Sequence, residues 1–306
     1  FSEHHLSHAA SAFYPSPFDK AIILTIDGVG EWATTTVSIG DKNKIELKEE
    51  INFPNSLGLL YSAFTFYLGF KVNSGEYKIM GLAPYGKPKY FDKILNHLIH
   101  VNDDGSFRMN QNYFDYSTGL KMINSKFEKL FNNPRRLSEN DISQFHMDVA
   151  ASIQKTIEYI ILKICRYLSK KYKLNNLCLA GGVALNCVAN GKILNEKIFQ
   201  NLWIQPASGD AGTSIGAALY YWHNELNKSR KIDNNDKMKG SFLGPKYNND
   251  QIVDELRQLK ANFEKYSNEE MLDLTARFIA DGKAIGWFQG RMEFGPRSLG
   301  CRSILA

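Results

Sequence analysis

The chain has 306 residues, of which 43% are hydrophobic and 23% are charged, a composition typical of a globular protein with room for two domains. Its net charge of +5 is mild and its lysines are scattered, so we expect neither a nucleic-acid-binding nor a membrane-binding surface, whereas polyanionic small molecules remain compatible. The sequence shows no signal-peptide pattern and no run of about 18 apolar residues, which argues against a membrane span.

The cysteines and the two ends of the chain add two expectations. No C-x-x-C spacing occurs, which suits reduced thiols in a cytoplasmic protein; the four cysteines are Cys165, Cys178, Cys187 and Cys301. The chain opens on Phe1 inside a motif and closes on an apolar run at Ala306. We therefore expect a fragment of a longer protein.

The first predicted element is a helix that begins within Glu3–Phe13 and carries three of the seven histidines. His4 and His8 are four residues apart, so a helix projects both imidazoles from one face, as a metal site on a helix requires. A helix end with exposed histidines is the competing interpretation. His5 is either a residue that supports the site or simply exposed.

A three-stranded hairpin unit is predicted next, over residues 21–26, 33–39 and 45–53. The first strand ends at a glycine-rich acidic turn, Asp27–Glu31, which would let backbone N–H groups approach a phosphate or a metal-bound ligand. An ordinary hairpin turn that happens to contain Asp-Gly is an equal alternative.

Residues 57–140 are less informative. A helical run over 57–70 precedes an irregular segment, residues 75–86, that contains Glu76 and either lines a site or is a packed structural loop. Residues 87–140 are polar and are predicted to be a helical insertion without chemistry of its own.

A long helix is predicted over residues 141–172 from apolar residues at helical spacing. Its acidic residue Asp148 either faces a site or, as we expect, points to solvent. Glu76 and Asp148 are the weak candidates for a catalytic base.

Two strand–glycine loop–helix units follow and predict an α/β fold with a parallel or mixed sheet. The first turns at Gly181 and Gly182, where absent side chains and free helix N–H groups suit a nucleotide, although many such turns need glycine for packing alone. The second turns at Gly209 and Asp210, and helix N-capping is the ordinary role of an aspartate there.

A polar linker is predicted over residues 224–239, followed by helices at 252–259 and 271–280 and a strand at 284–288. The loop after that strand carries Arg291, Arg297 and Arg302, which could clamp a phosphate or carboxylate. A structural network of arginines around Glu293 is the competing account.

Together these motifs resemble the NodU-type O-carbamoyltransferases, the family of nodulation carbamoyltransferases and of those that modify cephamycin and aminoglycoside antibiotics. Six blocks in the same order carry the resemblance: EHHLSHAASAFYPSPF at 3–18, DGVGEW at 27–32, GEYKIMGLAPYGKP at 75–88, LAGGVALNCVANGKI at 179–193, QPASGDAGTSIGAAL at 205–219 and GRMEFGPRSLGCRSILA at 290–306.

The resemblance implies an actin-like ATPase (ribonuclease H-like) fold, similar to the tRNA threonylcarbamoyl-transferases, over residues 1–240. Most of its first lobe would lie upstream, and the hairpin from Ala21 would begin the second lobe. Residues 241–306 would begin an α/β YrdC-like domain, which is truncated here.

The resemblance also implies the site. It places a divalent metal, Fe(II) or similar, on His4, His8, Asp27 and Asp210, and it places adenosine on Gly181, Gly182, Asn186 and Gly209. The expected reaction moves a carbamoyl group from carbamoyl phosphate, through a carbamoyl-adenylate made with ATP, to a hydroxyl of a sugar or secondary metabolite. The alternatives are a sugar kinase or ATPase of the same superfamily and a non-catalytic nucleotide-binding fragment.

Overall fold

The computed structural model describes residues 1–232 and 236–306. The chain forms two compact units, Phe1–Asn235 and Asp236–Ala306. The fold families predicted for the two domains, residues 1–240 and 241–306, remain predictions. The centre of the predicted linker, residues 233–235, lies outside the described residues.

The first unit combines a central sheet with helices on both faces. In chain order its helices and strands are α1 His4–Phe13, β1 Lys20–Gly30, β2 Ala33–Asp41, β3 Lys44–Asn52, α2 Leu57–Tyr67, α3 Glu76–Leu82, α4 Phe91–His97, β4 Ile99–Val101, β5 Phe107–Met109, α5 Ser125–Phe131, α6 Gln144–Tyr172, β6 Asn176–Ala180, α7 Cys187–Asn195, β7 Asn201–Ile204 and α8 Asp210–Tyr220.

The sheet confirms the predicted mixed topology. Its strand order is β3–β2–β1–β6–β7, with antiparallel pairing among β1, β2 and β3 and parallel pairing from β1 to β6 and from β6 to β7. The central strand β1 is buried on both faces over residues 21–26, which explains its continuous apolar run. The carboxyl ends of β1, β6 and β7 therefore lie at one edge, where ligands of such sheets bind.

Two apolar cores sit on opposite faces of this sheet. The larger contains residues of α2 and α6, and α6 begins with a capping box at Ser143 and ends at Lys173 in the left-handed conformation. The smaller lies under α1, whose alanines and Phe13 pack against Ile23 and Cys178. Because the alanines and Phe13 of α1 are buried against the sheet, the orientation of α1 is fixed, and with it the position of its histidines.

Two expectations for the middle of the chain need correction. Residues 75–86 are not irregular, because α3 and a 3-10 turn, Ala83–Tyr85, occupy most of them. The insertion at 87–140 is not purely helical, since β4 and β5 pair as a small antiparallel ribbon. Short-range sequence patterns miss both because the segments pack against α6, far along the chain.

The second unit contains α9 Asn249–Gln258, α10 Asn268–Ala280, β8 Ile285–Phe288 and β9 Arg302–Leu305, with β8 and β9 antiparallel. The two predicted helices and the predicted strand are thus confirmed, although Arg302 lies in a strand rather than in the loop. Across the residues that the structure describes, no helix has the length and apolar character needed to cross a membrane.

Candidate functional site

Helix α1 presents His4 and His8 side by side. Their rings lie edge to face with centroids 4.7 Å apart, and their Nε2 atoms are 3.1 Å apart. The side chain of His8 is fully buried, whereas that of His4 is 27% exposed. The histidine helix is confirmed, and the i, i+4 spacing brings both Nε2 atoms to one point as expected.

The sequence had indicated that Asp27 lies in the turn after strand β1. In the structure Asp27 lies inside β1. The pairing of β1 with β2 shifts register between Ile26 and Gly30, so Asp27 falls in a bulge, and the chain reverses at Glu31, whose φ is 59°. A bulge bends a strand and redirects the side chains in it. Here Asp27 is directed at the two histidines.

Two further groups fix the Asp27 segment. The backbone N–H of Gly182 donates to Asp27 Oδ1 at 3.0 Å, and the Ser56 hydroxyl donates to the carbonyl oxygens of Asp27 and Gly28 at 3.1 and 2.6 Å. Oδ1 is therefore held by the backbone, which leaves Oδ2 facing the histidines.

Asp210 is the first residue of α8 and completes the cluster. Gly209 occupies the N-cap position, and no side chain caps this helix, so Asp210 does not have the capping role that was its alternative. Its side chain is 79% exposed, and Oδ1 lies 3.5 Å from His4 Nε2 and 3.6 Å from His8 Nε2.

Close packing of α8 on α1 positions Asp210. A Cβ atom at Gly216 would clash with the carbonyl oxygen of Ser7 and with the Ser11 nitrogen, both in α1. The absent side chain at Gly216 thus allows the two backbones to approach, which brings the first turn of α8 beside the histidines.

The four side chains fit a metal ion. The ligand atoms of His4, His8, Asp27 and Asp210 all lie within 4.8 Å of one another, and Asp27 Oδ2 is 3.0 and 3.3 Å from the two Nε2 atoms. Ligands about 2.1 Å from a common ion stand about 3.0–4.2 Å apart, and the four nitrogen–oxygen separations in the cluster, 3.0, 3.3, 3.5 and 3.6 Å, lie in this range. Two imidazoles and two carboxylates form a nitrogen–oxygen set suited to Fe(II), Zn(II) or a similar ion.

The electrostatics of the cluster favour a cation. Burial alone would raise the pKa of Asp27, but hydrogen bonds from His4 and His8 outweigh it and hold that pKa well below its usual range. The hydrogen bond to Asp27 raises the pKa of His4 against the opposing effect of burial. Both shifts show that positive charge beside Asp27 stabilises its carboxylate.

His5 is neither exposed nor part of the cluster. It is 6% exposed, its Nδ1 lies 3.0 Å from Thr36 Oγ1, and burial lowers its pKa to about 4. The expectation of a simply exposed His5 was wrong, because α1 lies against β2, which the local sequence does not show.

The predicted nucleotide residues lie at the carboxyl ends of β6 and β7. Gly181 has φ 87°, and a Cβ there would clash with the Ile26 carbonyl oxygen, so glycine is required for packing. Asn186 exchanges two amide hydrogen bonds with Gln154 and caps α7 through Ala189 N–H. At Gly209 a Cβ would meet only Leu185 Cδ1, at 3.8 Å, so this position is open.

The two weak catalytic candidates have structural partners. Glu76 Oε1 accepts from the Ser62 hydroxyl and the Asn73 N–H, both at 3.0 Å. Asp148 was expected to face solvent, but it is only 2% exposed. Its carboxylate accepts hydrogen bonds from the Lys87 N–H and the Gln144 side chain and pairs with Lys89 at 2.6 Å. None of these partners belongs to the cluster of His4, His8, Asp27 and Asp210.

In the second unit, Glu293 organises the arginine loop. It is 1% exposed, and Oε1 accepts from the N–H groups of Leu299 and Cys301 at 2.6 and 2.8 Å. Arg302 Nε lies 3.4 Å from Glu293 Oε2, and Arg291 donates to the Gly244 carbonyl oxygen at 2.7 Å. The structural network around Glu293 therefore accounts for Arg302.

Several positioning residues escaped the sequence argument. A Cβ at Gly30 would clash with the His4 ring, and one at Gly58 would stand 2.6 Å from the Asp27 carbonyl oxygen. Gly216 in α8, which meets Ser7 and Ser11 of α1, was the signal that could have revealed close helix packing.

Comparison with known proteins gives a consistent result. The family model described as "Carbamoyltransferase N-terminus" matches residues 1–219, and the one described as "Carbamoyltransferase C-terminus" matches residues 276–306. The chain is 56% identical to uncharacterized protein sll1178 of Synechocystis sp., over 100% of the chain and 50% of that protein. It is 40% identical to nodulation protein NolNO of Sinorhizobium fredii, over 100% of the chain and 43% of that protein.

The chain thus spans about half the length of the curated relatives it matches. Among solved structures, HypF of T. kodakarensis aligns with a TM-score of 0.38 at 17% identity, over 71% of this chain and 36% of that one, a likeness too small to carry an argument.

Proposed function

This chain belongs to the carbamoyltransferase family, and from that membership we propose that its cluster of His4, His8, Asp27 and Asp210 holds a divalent metal at a carbamoyl-transfer site. The carbamoyl group would pass from carbamoyl phosphate to a carbamoyl-adenylate made with ATP, with release of phosphate and pyrophosphate, and from there to a hydroxyl of a small molecule. The convergence of four ligand atoms from three separate segments is the observation that supports this proposal.

The chain's own residues determine the geometry of the cluster. Oδ1 of Asp27 is fixed by the Gly182 N–H, so Oδ2 is the oxygen offered to an ion. The fully buried His8 has little freedom to turn, while the exposed Asp210 can adjust as a ligand arrives. A bound divalent ion would supply Lewis acidity that polarises the carbamoyl carbonyl.

In the proposed transfer step one bond to the carbamoyl carbon forms and one breaks. The acceptor oxygen forms a bond to the carbamoyl carbon, and the bond from that carbon to the adenylate phosphate oxygen breaks. AMP leaves with the electron pair, and the hydroxyl proton is released. Glu76 and Asp148 are given no role in this step because their oxygens have the structural partners described above.

For the nucleotide, we propose a seat at the carboxyl ends of β6 and β7, beside Gly181, Gly182 and Gly209. The open position at Gly209 and the first turn of α8, which no side chain caps, support this placement. Asn186 is part of the proposed seat only if it releases Gln154. An actin-like fold for residues 1–240 and a YrdC-like identity for residues 241–306 belong to the same proposal, with Arg291 and Arg297 as phosphate-binding candidates.

The proposal is tested with the full-length protein and two histidine variants. His8→Ala removes one ligand from the buried side of the cluster, and His100→Ala is the matched control because His100 is exposed on β4. Elemental analysis should show the metal lost in the first variant and retained in the second. Equal metal content in both variants would refute the ligand assignment.

The reaction is tested separately. The wild-type protein, given ATP, carbamoyl phosphate and a metabolite extract, should produce a compound that has gained one carbamoyl group by mass spectrometry. A product that gains phosphate, without need of carbamoyl phosphate, would instead establish the kinase alternative.

The nucleotide seat has its own variant. Gly209→Val fills the proposed seat from a position where a Cβ has only Leu185 Cδ1 within 4 Å. We expect weaker ATP binding in calorimetry with the metal content unchanged. Undiminished ATP affinity would exclude this turn as the seat.

A further inference from the structure

Gln154 of α6 is a buried polar residue outside the four candidate metal ligands. It is 4% exposed, and side chains engage both polar atoms of its amide. Its Oε1 accepts from the Tyr61 hydroxyl at 3.0 Å and from Asn186 Nδ2 at 2.9 Å. Its Nε2 donates to Glu158 Oε1 at 2.9 Å and to Asn186 Oδ1 at 3.0 Å. Gln154 and Asn186 therefore form a reciprocal pair of amide hydrogen bonds.

Asn186 joins this amide pair to the turn that follows β6. Its Oδ1 also accepts from the Ala189 N–H at 3.0 Å, which caps α7, and its backbone N–H donates to the Val183 carbonyl oxygen at 2.9 Å. Because both polar atoms of its amide are engaged, the side chain of Asn186 cannot rotate without breaking the pair. Gln154 thus holds the end of the turn at a fixed position relative to α6.

The turn itself is hydrogen-bonded internally. Residues Gly182–Leu185 form a 3-10 helix, and the Ala184 N–H donates to the Gly181 carbonyl oxygen at 3.0 Å. The Asn190 side chain of α7 donates to the Ala184 carbonyl oxygen at 2.7 Å. These bonds connect the two ends of the turn, so a displacement at one end is passed to the other.

The start of the turn contacts Asp27. The Gly182 N–H donates to Asp27 Oδ1 at 3.0 Å, and a Cβ built on Gly181 would stand 2.2 Å from the Ile26 carbonyl oxygen. Backbone packing this close leaves no space for the turn to move toward β1. A shift away from β1 would lengthen the hydrogen bond to Oδ1 and allow the carboxylate to rotate, which would move Oδ2 away from the two histidines.

Loss of the Gln154 amide would act on Asn186 first. When one member of a buried hydrogen-bonded pair is removed, the other is left unsatisfied, which costs more free energy than the bond itself contributes. Asn186 is 9% exposed, so its amide would have to rotate to a new partner or pull the turn toward solvent. Either movement changes the geometry between Gly182 and Asp27.

We propose that Gln154 is a positioning residue for Asp27, acting through Asn186 and the turn at residues 181–186. This role rests on the proposed function, because it takes the four-residue cluster as a metal site. Among the described residues, the hydrogen bonds of Gln154 go to Tyr61, Glu158 and Asn186 and not to that cluster. Gln154 therefore sets the direction of Asp27 Oδ2 without contacting a bound ion.

Hydrogen exchange of the Gly182 amide, followed by NMR in the metal-free full-length protein, tests the first step. Gln154→Met keeps the length of the side chain and removes its hydrogen bonds. The Gly182 N–H should exchange about tenfold faster or more in this variant, relative to the amides of β6, which report on overall stability. Ile160→Val is the matched control, because it weakens packing at a fully buried position of the same helix outside the amide pair.

Zinc titration of the full-length protein tests the second step. Gln154→Met should bind zinc about tenfold more weakly than the wild type, in the range usual for changes behind a metal ligand, and Ile160→Val should stay within about twofold. Asn186→Ser keeps an oxygen that can cap α7 but removes the amide pair, so it should show the same loss. The double variant with Gln154→Met should lose no more than either single variant, because both changes break one interaction.

The outcomes separate this role from the proposed function. A wild type that binds zinc, with equal affinity in Gln154→Met or with equal losses in Gln154→Met and Ile160→Val, would overturn the role of Gln154 alone. Unchanged relative exchange of the Gly182 amide in Gln154→Met would also overturn it. A wild type that binds no metal would refute the proposed function, and with it the role assigned to Gln154.

Discussion

Gly216 of α8 lies directly against the Ser7 carbonyl oxygen of α1, with no room for a Cβ between the two backbones. Helix α1 carries His4 and His8, and α8 begins with Asp210. This one contact therefore controls the distance between the histidines and the fourth candidate ligand. Any atom added at Gly216 must separate the two helices or displace α8.

Gly216→Ala should consequently weaken metal binding about 10- to 100-fold, the range typical of changes that misplace a ligand without removing it. Zinc or iron titration of the full-length protein measures this. Gly191→Ala is the matched control, because Gly191 is also inside a helix, α7, and has nothing within 4 Å of its Cβ position. Equal metal affinities in the two variants would contradict the positioning role of Gly216.

The two glycines of the β1 bulge allow a second comparison. Gly30→Ala places a methyl group against the His4 ring, whereas Gly28→Ala meets nothing within 4 Å. We expect Gly30→Ala to lower metal affinity by about tenfold or more and Gly28→Ala to leave it within a few-fold of the wild type. Metal titrations that rank the variants the other way would show that the His4 ring is not held by Gly30.

Local sequence was sufficient for some parts of the site. The i, i+4 spacing of His4 and His8 depends only on helix geometry, so the sequence predicted their convergence. The parallel strands β6 and β7 followed from two strand–glycine loop–helix units, and their carboxyl ends had to share an edge. The parallel pairing of β6 with β1 is visible only in the structure.

Other parts depend on contacts between distant segments. The bulge at Asp27 arises where β1 pairs with β2 and packs against Ser56 and Gly58, and no pattern within β1 encodes it. Asp148 was expected in solvent because helical periodicity cannot show that the loop at Lys87–Lys89 folds over α6. A cleft of about 380 Å³ beside His5 likewise exists only because the start of α1 lies over residues of β2 and β3.

Arg230, in the predicted linker, binds the carbonyl oxygens at the C-terminal end of α1. Its guanidinium donates to the carbonyl oxygens of Phe13, Tyr14, Ser16 and Phe18, at 2.5–3.0 Å, and lies 4.5 Å from the centre of the Phe13 ring. The predicted linker is therefore bound to the first unit at this residue. Carbonyl oxygens at the end of a helix accept such donors well.

Arg230→Ala should lower the free energy of unfolding by about 2–4 kcal/mol, because several buried carbonyl oxygens lose a charged partner. Arg230→Lys should recover only part of this, since an ammonium group cannot reproduce the planar array of donors. Urea denaturation measures both. Arg166→Ala, which removes an exposed ion pair to Glu196, is the control and should change stability by less than about 1 kcal/mol.

The buried carboxylate of Asp148 predicts a pH dependence of stability. Burial would raise its pKa, but the Lys87 N–H, Lys89 and Gln144 outweigh burial and leave the pKa below its usual value. A carboxyl whose pKa is lower in the folded than in the unfolded state stabilises the fold at pH values above its unfolded-state pKa of about 3.9. This contribution is lost as the pH falls through the folded-state pKa. Asp148→Asn should therefore destabilise the full-length protein by about 1–3 kcal/mol at pH 7.

The same variant should approach the wild type in stability as the pH falls from about 4 through the lower folded-state pKa of Asp148, since below that pKa both carry an uncharged side chain at this position. Urea denaturation at pH 7 and at several values below 4 measures the difference. Asp103→Asn is the control, because Asp103 also pairs with a lysine but is fully exposed. A stability difference between Asp148→Asn and the wild type that does not shrink with falling pH would show that the carboxylate charge does not hold the Lys87–Lys89 loop on α6.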